Sequence, residues 1–306
     1  MRHRSKASAL KLLAPMLLAL GAAHASAQTM PSASATLTPR TGGDRASMET
    51  MQIPSHGSLM NALVYVAAGA GPHPAVILLH GFPGNERNLD LAQDMRRAGW
   101  DVLYFNYRGS WGTPGAFSFS HGIEDTAAAL AYVREPEVAK NLRLDPARIV
   151  LIGHSMGGFV AVEAAANDPA VKAFATISAA DFGGNFLASL DKETKAAAIE
   201  KLSKNLANEG MAPLAGCTPK GLALDVAHHA KVWSFRANVD ALKNRTALVM
   251  TSDDGLAKQN QTFADELTRA GDSKVTSAHF PTDHAYSDQR TELSSAVLHW
   301  LASLPN

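Results

Sequence analysis

The chain has 306 residues, 46% of them hydrophobic, with 28 basic and 28 acidic side chains and no formal net charge when histidine is neutral. That length suffices for one large domain with a substantial core, and the balanced charge lacks the basic excess of a nucleic-acid-binding protein. Cys217 is the single cysteine, which rules out an internal disulfide framework.

In chain order, residues 1–6 carry Arg2, Arg4 and Lys6, residues 7–23 are apolar apart from Ser8 and Lys11, and Ala25-Ser26-Ala27 supplies a small-x-small cleavage pattern. Residues 1–27 are therefore expected to be a secretory signal peptide, with the mature protein starting at Gln28 and exported to the periplasm or beyond. A membrane anchor fits less well, because Lys11 and Pro15 interrupt an apolar stretch already short of the about 20 residues a span needs. The segment takes four of the 28 basic residues and no acid, so the remainder is acidic by four formal charges. No later run reaches about 18 uninterrupted apolar residues, and stable membrane insertion after cleavage is not expected.

Residues 28–48 are rich in Ser, Thr, Pro, Gly and Ala without periodicity and are read as a poorly ordered leader, with an ordered domain over 49–306. Segments 51–54 and 61–67, flanking Ser55-His56-Gly57-Ser58, predict an antiparallel pair. Short apolar runs at 75–79, 102–107, 149–152, 173–177, 247–250 and 275–280 alternate with amphipathic patterns at 89–98, 122–134, 156–167, 256–270 and 288–301. This alternation predicts an α/β fold, a mostly parallel sheet with helices on both faces. The interval between Ser178 and Thr246 is too long for one crossover helix. It predicts helices at 190–208 and 219–232 with a turn at 211–217. Such an insertion, about 182–243, sits over the carboxyl ends of the strands, where open α/β sheets bind ligands, and is expected to be a helical lid rather than a surface ornament.

The strand at 149–152 runs into Gly153-His154-Ser155-Met156-Gly157-Gly158 and then an Ala-rich helix. A serine at so sharp a strand-to-helix turn has its hydroxyl held clear of the sheet, and the glycines on either side remove Cβ atoms that would clash. Acyl transfer by a serine needs an imidazole to take its proton and a carboxylate to orient that imidazole. Asp253 and Asp254 follow a strand directly, and His284 lies in a loop between the last strand and the last helix. Adjacent residues in an extended segment point to opposite sides, so only one of the two aspartates can face His284. His279 and His299 fall inside a strand and a helix and are assigned to packing, and His121, His228 and His229 to solvated positions. No His-Glu-x-x-His is present, His228 and His229 are expected to point to different sides of a helix, and Asp254-Gly255 lacks calcium-loop spacing, so no metal site is expected. No Gly-x-Gly-x-x-Gly opens a helix after a strand, and no nucleotide or other cofactor is expected. The Gly-rich run 108–122, with Trp111, Phe117 and Phe119, is expected to border the pocket.

His80-Gly81-Phe82-Pro83-Gly84 after the first parallel strand, the Ser155 turn, and an acid and a histidine in the order Ser, Asp, His are together specific. Over residues 49–306 the chain resembles the α/β-hydrolase superfamily, in its serine esterase and peptidase-like branch, where stretches similar to HPAVILLHGFPGN and GWDVLYFNYRG occur. The resemblance implies backbone N–H groups of Phe82 and Met156 as oxyanion donors, with Gly81 and Gly84 allowing the loop its turn. In similar sequences an aliphatic residue that opens the next helix stands just beyond the acid. Asp254-Gly255-Leu256 matches that pattern, which makes Asp254 the acid and Asp253 a turn-forming or helix-capping residue. The implied activity is cofactor-free hydrolysis of small-molecule carboxylic esters through an acyl-enzyme on Ser155. A peptidase or amidase with the same triad is the alternative, perhydrolysis a further one that Phe82-Pro83 permits, and a non-catalytic ligand-binding member of the fold the rival from another class. Relatives that open epoxides or remove halogens place aspartate where Ser155 stands, which disfavours both activities.

Overall fold

Strands buried on both faces must be covered by helices on each side, and such strands make the centre of the sheet. The computed structural model describes residues 45–271 and 274–305. In it β1 (Ser47–Ser55) and β2 (Ser58–Val66) form an antiparallel hairpin, followed by β3 (His73–Leu79), β4 (Asp101–Phe105), β5 (Leu144–His154), β6 (Ala173–Ile177), β7 (Thr246–Ser252) and β8 (Val275–Phe280). The sheet order is β1-β2-β4-β3-β5-β6-β7-β8. β2 meets β4 antiparallel, and every pair from β4 to β8 is parallel. The hairpin closes through His56 and Gly57, both at positive φ (45° and 81°), the two-residue turn whose twist suits flanking strands.

Helices α1 (Leu89–Arg97), α2 (Phe119–Val133), α3 (Pro136–Leu142), α4 (Met156–Asn167), α5 (Phe182–Leu190), α6 (Lys195–Asn208), α7 (Pro219–His229), α8 (Phe235–Leu242), α9 (Ala257–Ala270) and α10 (Arg290–Ser303) complete the described chain. Strand alternation divides the core into two layers. Val76, Leu78, Val102 and Ile152 pack with Leu91 and Met95 of α1 and with Leu293, Val297 and Trp300 of α10. Ile77, Leu79, Leu103 and Leu151 pack on the other face with α2, α4, α8 and α9, through residues such as Leu130, Phe159, Phe235 and Phe263.

The expected signal peptide (1–27), and 28–44 of the expected leader, lie outside the described residues. Ser47 and Met48, expected in the leader, instead open β1 opposite Val66 and Tyr65. Met48 is exposed there, so its pairing leaves no mark on the hydropathy pattern. The segment between β6 and β7 holds four helices rather than two. α5, ending at Leu190, is unexpected, and the helix expected over 190–208 is present as α6 but starts later, at Lys195 behind Thr194, whose side chain accepts from Ala197 N–H. Such a cap competes with helix continuation. The second expected helix stops at His229, and α8 and α3, of 8 and 7 residues, are too short for periodicity to reveal.

Candidate active site

Ser155 stands between β5 and α4 with φ 56° and ψ −118°, a left-handed φ that costs a non-glycine residue roughly 1–3 kcal/mol and must be imposed by its surroundings. Its N–H donates to Ile177 O at 2.9 Å, and its carbonyl accepts from Ala180 N–H at 3.1 Å, so β6 and the chain after it hold the turn from both sides. The flanking glycines are required by contact. A Cβ on Gly153 would lie 2.0 Å from Gly157 O, and one on Gly157 2.0 Å from Leu79 O. Without them the helix could not start so close to β3.

The loop after β3 lies beside the serine, since a Cβ on Gly81 would stand 3.0 Å from Ser155 Cβ. Three bonds pin it. His80 Nδ1 donates to Gly81 O at 2.8 Å, Tyr107 Oη donates to His80 O at 3.3 Å, and Trp111 Nε1 donates to Pro83 O at 2.8 Å. Burial pushes the His80 pKa down to about 4, partly offset by its bond to Gly81, so the pin stays neutral at working pH. Phe82 packs against Phe117 and Phe119, with ring centroids 5.9 and 5.8 Å away. Met156 opens α4, and its N–H is among the first-turn amides that have no acceptor within the helix.

His284, in the loop between β8 and α10, donates from Nδ1 to Asp254 Oδ2 at 2.7 Å. That fixes the tautomer and leaves Nε2 as the basic nitrogen. The other Asp254 oxygen accepts from Leu256 N–H at 2.8 Å, and its side chain is only 4% exposed. Burial alone would raise this carboxyl, but hydrogen bonds from His284, Leu256 N–H and Ser178 outweigh it and bring the pKa down to about 2. The neighbouring Asp253 turns away. Its side chain is 65% exposed and pairs with His279 Nε2 at 3.2 Å, and α9 opens with no side-chain cap. Of the two roles expected for Asp253, it takes the turn-forming one, in the turn after β7 with its side chain on His279, and it does not cap α9.

Ser155, Asp254, His284 and Phe82 line one cavity of about 610 Å³. The Ser155 hydroxyl shares it with the His284–Asp254 pair without being hydrogen-bonded to the imidazole, as is common before substrate draws the groups together. The outer wall includes one face of α5 (Phe182, Phe186) and one face of α6 (Ala198, Leu202, Leu206), each four residues apart as a helix face requires, with Lys201 and Asn205 beside them.

Sequence reasoning missed a buried polar platform beneath Asp254. Ser178 Oγ lies 3.0 Å from Ser252 Oγ and 3.1 Å from Tyr286 Oη. Tyr286 is fully buried, and burial pushes its pKa up to about 12. All three sit at strand ends or in the His284 loop, and that position was the only signal that could have picked them out. His228 and His229, expected to point to different sides of a helix, have rings that meet edge to face at 4.6 Å, and His229 stacks on Trp233 at 4.4 Å with its Nδ1 on Asp225 O at 2.9 Å. Among the described residues no group of three His, Cys, Asp or Glu side chains could hold a metal ion, and no helix is long and apolar enough to cross a membrane.

A central parallel sheet with a strained serine at the end of β5 and a carboxylate-bound histidine beyond it defines a class, and the comparisons agree with it. Residues 74–295 match the alpha/beta hydrolase fold family, and the chain belongs to that family. An uncharacterized protein of Mycobacterium tuberculosis (strain ATCC 25618 / H37Rv) is 32% identical over 145 residues, 47% of each chain. The quorum-quenching protein AidA of Acinetobacter baumannii (strain MDR-ZJ06) is 30% identical over 146 residues, 46% of each. The chain thus spans about half the length of the curated relatives it matches. Among solved structures, a thermostable carboxyl esterase from Bacillus coagulans superposes with a TM-score of 0.63 at 16% identity, covering 84% of this chain and 98% of that one.

Proposed function

We propose that this protein is an exported serine hydrolase that cleaves small-molecule carboxylic esters. The observation that carries the reading is the His284–Asp254 hydrogen bond at 2.7 Å beside a serine held in a strained turn on the same cavity. Ser155 Oγ attacks the carbonyl carbon while His284 Nε2 takes its proton. Asp254 holds the imidazole in the useful tautomer and compensates its positive charge. The negative charge that moves onto the carbonyl oxygen is met by the Phe82 and Met156 N–H groups, donors of a kind whose loss typically costs about 10²–10³ in turnover. The imidazolium then gives its proton to the departing alcohol. Water, deprotonated by the same Nε2, attacks the acyl-enzyme and releases the acid and free Ser155.

The α5–α8 insertion acts as the lid, and its apolar face (Phe182, Phe186, Leu202, Leu206) takes the acyl chain. A neutral, apolar acyl group suits that wall better than a charged one. Export rests on Arg2, Arg4, Lys6, the apolar run and Ala25-Ser26-Ala27. Mature protein from the native host should begin at Gln28, and intact Met1 in soluble cytoplasm would overturn that part.

The central test is a fluorophosphonate probe on purified protein, followed by esters of graded acyl length alongside aminoacyl amides. Labelling of wild type but not of Ser155→Ala, with esters turned over and amides untouched, is expected. No labelling of wild type would make the protein a binding member of the fold, and faster amide cleavage would make it an amidase.

A further inference from the structure

The residue before the nucleophile does not line the cavity, yet it is tied to the other half of the site. His154 ends β5 and is 4% exposed. Its Nε2 lies 2.8 Å from the backbone oxygen of His284, 130 residues further on, and the two rings stack obliquely with centroids 4.7 Å apart and planes at 42°. A carbonyl oxygen only accepts, so His154 Nε2 carries a proton. Its Nδ1 has no hydrogen-bond partner among the described residues. A proton there would have no acceptor, and the ring is therefore the neutral Nε2–H tautomer. Burial drives its pKa down to about 4. His284 and Arg290 push in the same direction, while the bond to the His284 carbonyl and the charge of Asp254 oppose them.

The loop that carries His284 has bonds of its own. Asp253 N–H donates to Thr282 O, Tyr286 N–H to Asp283 O, and Arg290 Nη1 to Ala285 O. The N–H side of the His284–Ala285 peptide is held within the loop, by Asp283 Oδ1 at 3.1 Å; the bond from His154 to its carbonyl side ties it to β5. Because His154 and Ser155 are consecutive, that bond attaches the backbone of His284 to the same rigid turn that sets Ser155.

We propose that His154 is a positioning residue: its Nε2–H bond to the His284 carbonyl, with its ring as a floor under the imidazole, sets the height and tilt at which His284 meets Ser155. The assignment rests on the serine-hydrolase reading above. It requires both a donor at that reach and a neutral ring, since a second cation against His284 would oppose the imidazolium that forms during attack. Misplacement of a reacting group by about 1 Å can cost on the order of 10²-fold, and that sets the expected effect.

The test compares His154→Phe, which keeps a ring and removes the donor, with His154→Gln, which keeps an N–H donor and removes the ring. On the best ester of the panel, His154→Phe should lose about 10–10² in kcat with KM within about twofold, and His154→Gln should recover most of that loss. Fluorophosphonate labelling of Ser155 should slow in parallel. Wild-type kcat and labelling rate in His154→Phe would overturn the proposal, as would equal losses in both variants with circular dichroism unchanged. Nitrogen-15 spectra of histidine-labelled wild type read the tautomer directly, independent of turnover and of how well the variants fold. A neutral His154 protonated at Nε2 is expected, and protonation at Nδ1 instead would break the bond and the proposal. A wild type that shows this tautomer but takes no fluorophosphonate would sink the hydrolase reading while leaving the His154–His284 bond standing.

Discussion

Glu163 offers a test of how the helix behind the nucleophile is held to the inserted helices. It lies on α4, 4% exposed, and its Oε1 accepts from Asn238 Nδ2 of α8 at 2.7 Å. Burial is the larger influence and raises its pKa to about 8, the Asn238 bond opposing this and the charge of Asp181 adding to it. The folded protein therefore keeps a proton on Glu163 over a range where the unfolded chain, near 4.5, has lost it. Stability contributed by this group is fully present below pH 4.5 and disappears as pH rises through 8. At about 1.4 kcal/mol per pH unit for one proton, the full interval amounts to roughly 5 kcal/mol. Glu163→Gln keeps the volume and an oxygen for Asn238 but cannot ionise. Urea denaturation at pH 5, 7 and 9 should show the variant close to wild type at pH 5 and more stable by several kcal/mol at pH 9. Other buried groups, such as Asp101, whose pKa burial lifts to about 7, are common to both proteins and cancel in the difference. A difference between variant and wild type that stays constant from pH 5 to pH 9 would refute the reasoning.

Three further outcomes are expected. Asp254→Asn should keep the fold and lose on the order of 10⁴ in kcat, the scale seen when a triad acid is neutralised elsewhere, whereas Asp253→Asn, exposed and paired only with His279, should stay within a few-fold; steady-state kinetics showing the reverse would exchange their roles. Gly157→Ala would place a Cβ 2.0 Å from Leu79 O, a backbone atom with nowhere to go, and should lose roughly 2–3 kcal/mol or more by denaturant titration; an unchanged midpoint would mean that α4 can move off β3. Leu202→Ala, on the wall of the cavity, should shift the ratio of kcat/KM for octanoate over acetate esters by about tenfold or more, and an unaltered ratio would remove α6 from the acyl site.

Much of the architecture was legible because it follows from local rules. The run 173–177 is an uninterrupted buried strand, and the pattern at 156–167 is α4 to the residue. Both follow from runs that neighbouring residues carry among themselves, a short continuous apolar run for the strand and an Ala-rich run after a Gly-rich turn for the helix. The Ser155 turn was legible for a related reason: it needs glycine at fixed offsets, and those glycines are visible in the chain, whereas the oxyanion roles of Phe82 and Met156 came from the family resemblance alone. Asp254 could be separated from Asp253 only in part, since alternation says that one of them faces inward but not which one; the 2.7 Å bond to His284 and the burial of Asp254 decide it. The break at 191–194 and the short helix α8 were hidden from periodicity. The polar platform under Asp254 was marked only by its position at strand ends and in the His284 loop, and the bond from His154 to the His284 carbonyl left no sequence signal at all. The platform and the His154 bond are contacts between segments far apart in the chain, Ser178 with Tyr286 and His154 with His284. Local composition determines whether a segment can be a strand or a helix, but which buried hydroxyl or imidazole finds a partner depends on the packing of the whole sheet, and only the tertiary structure contains that.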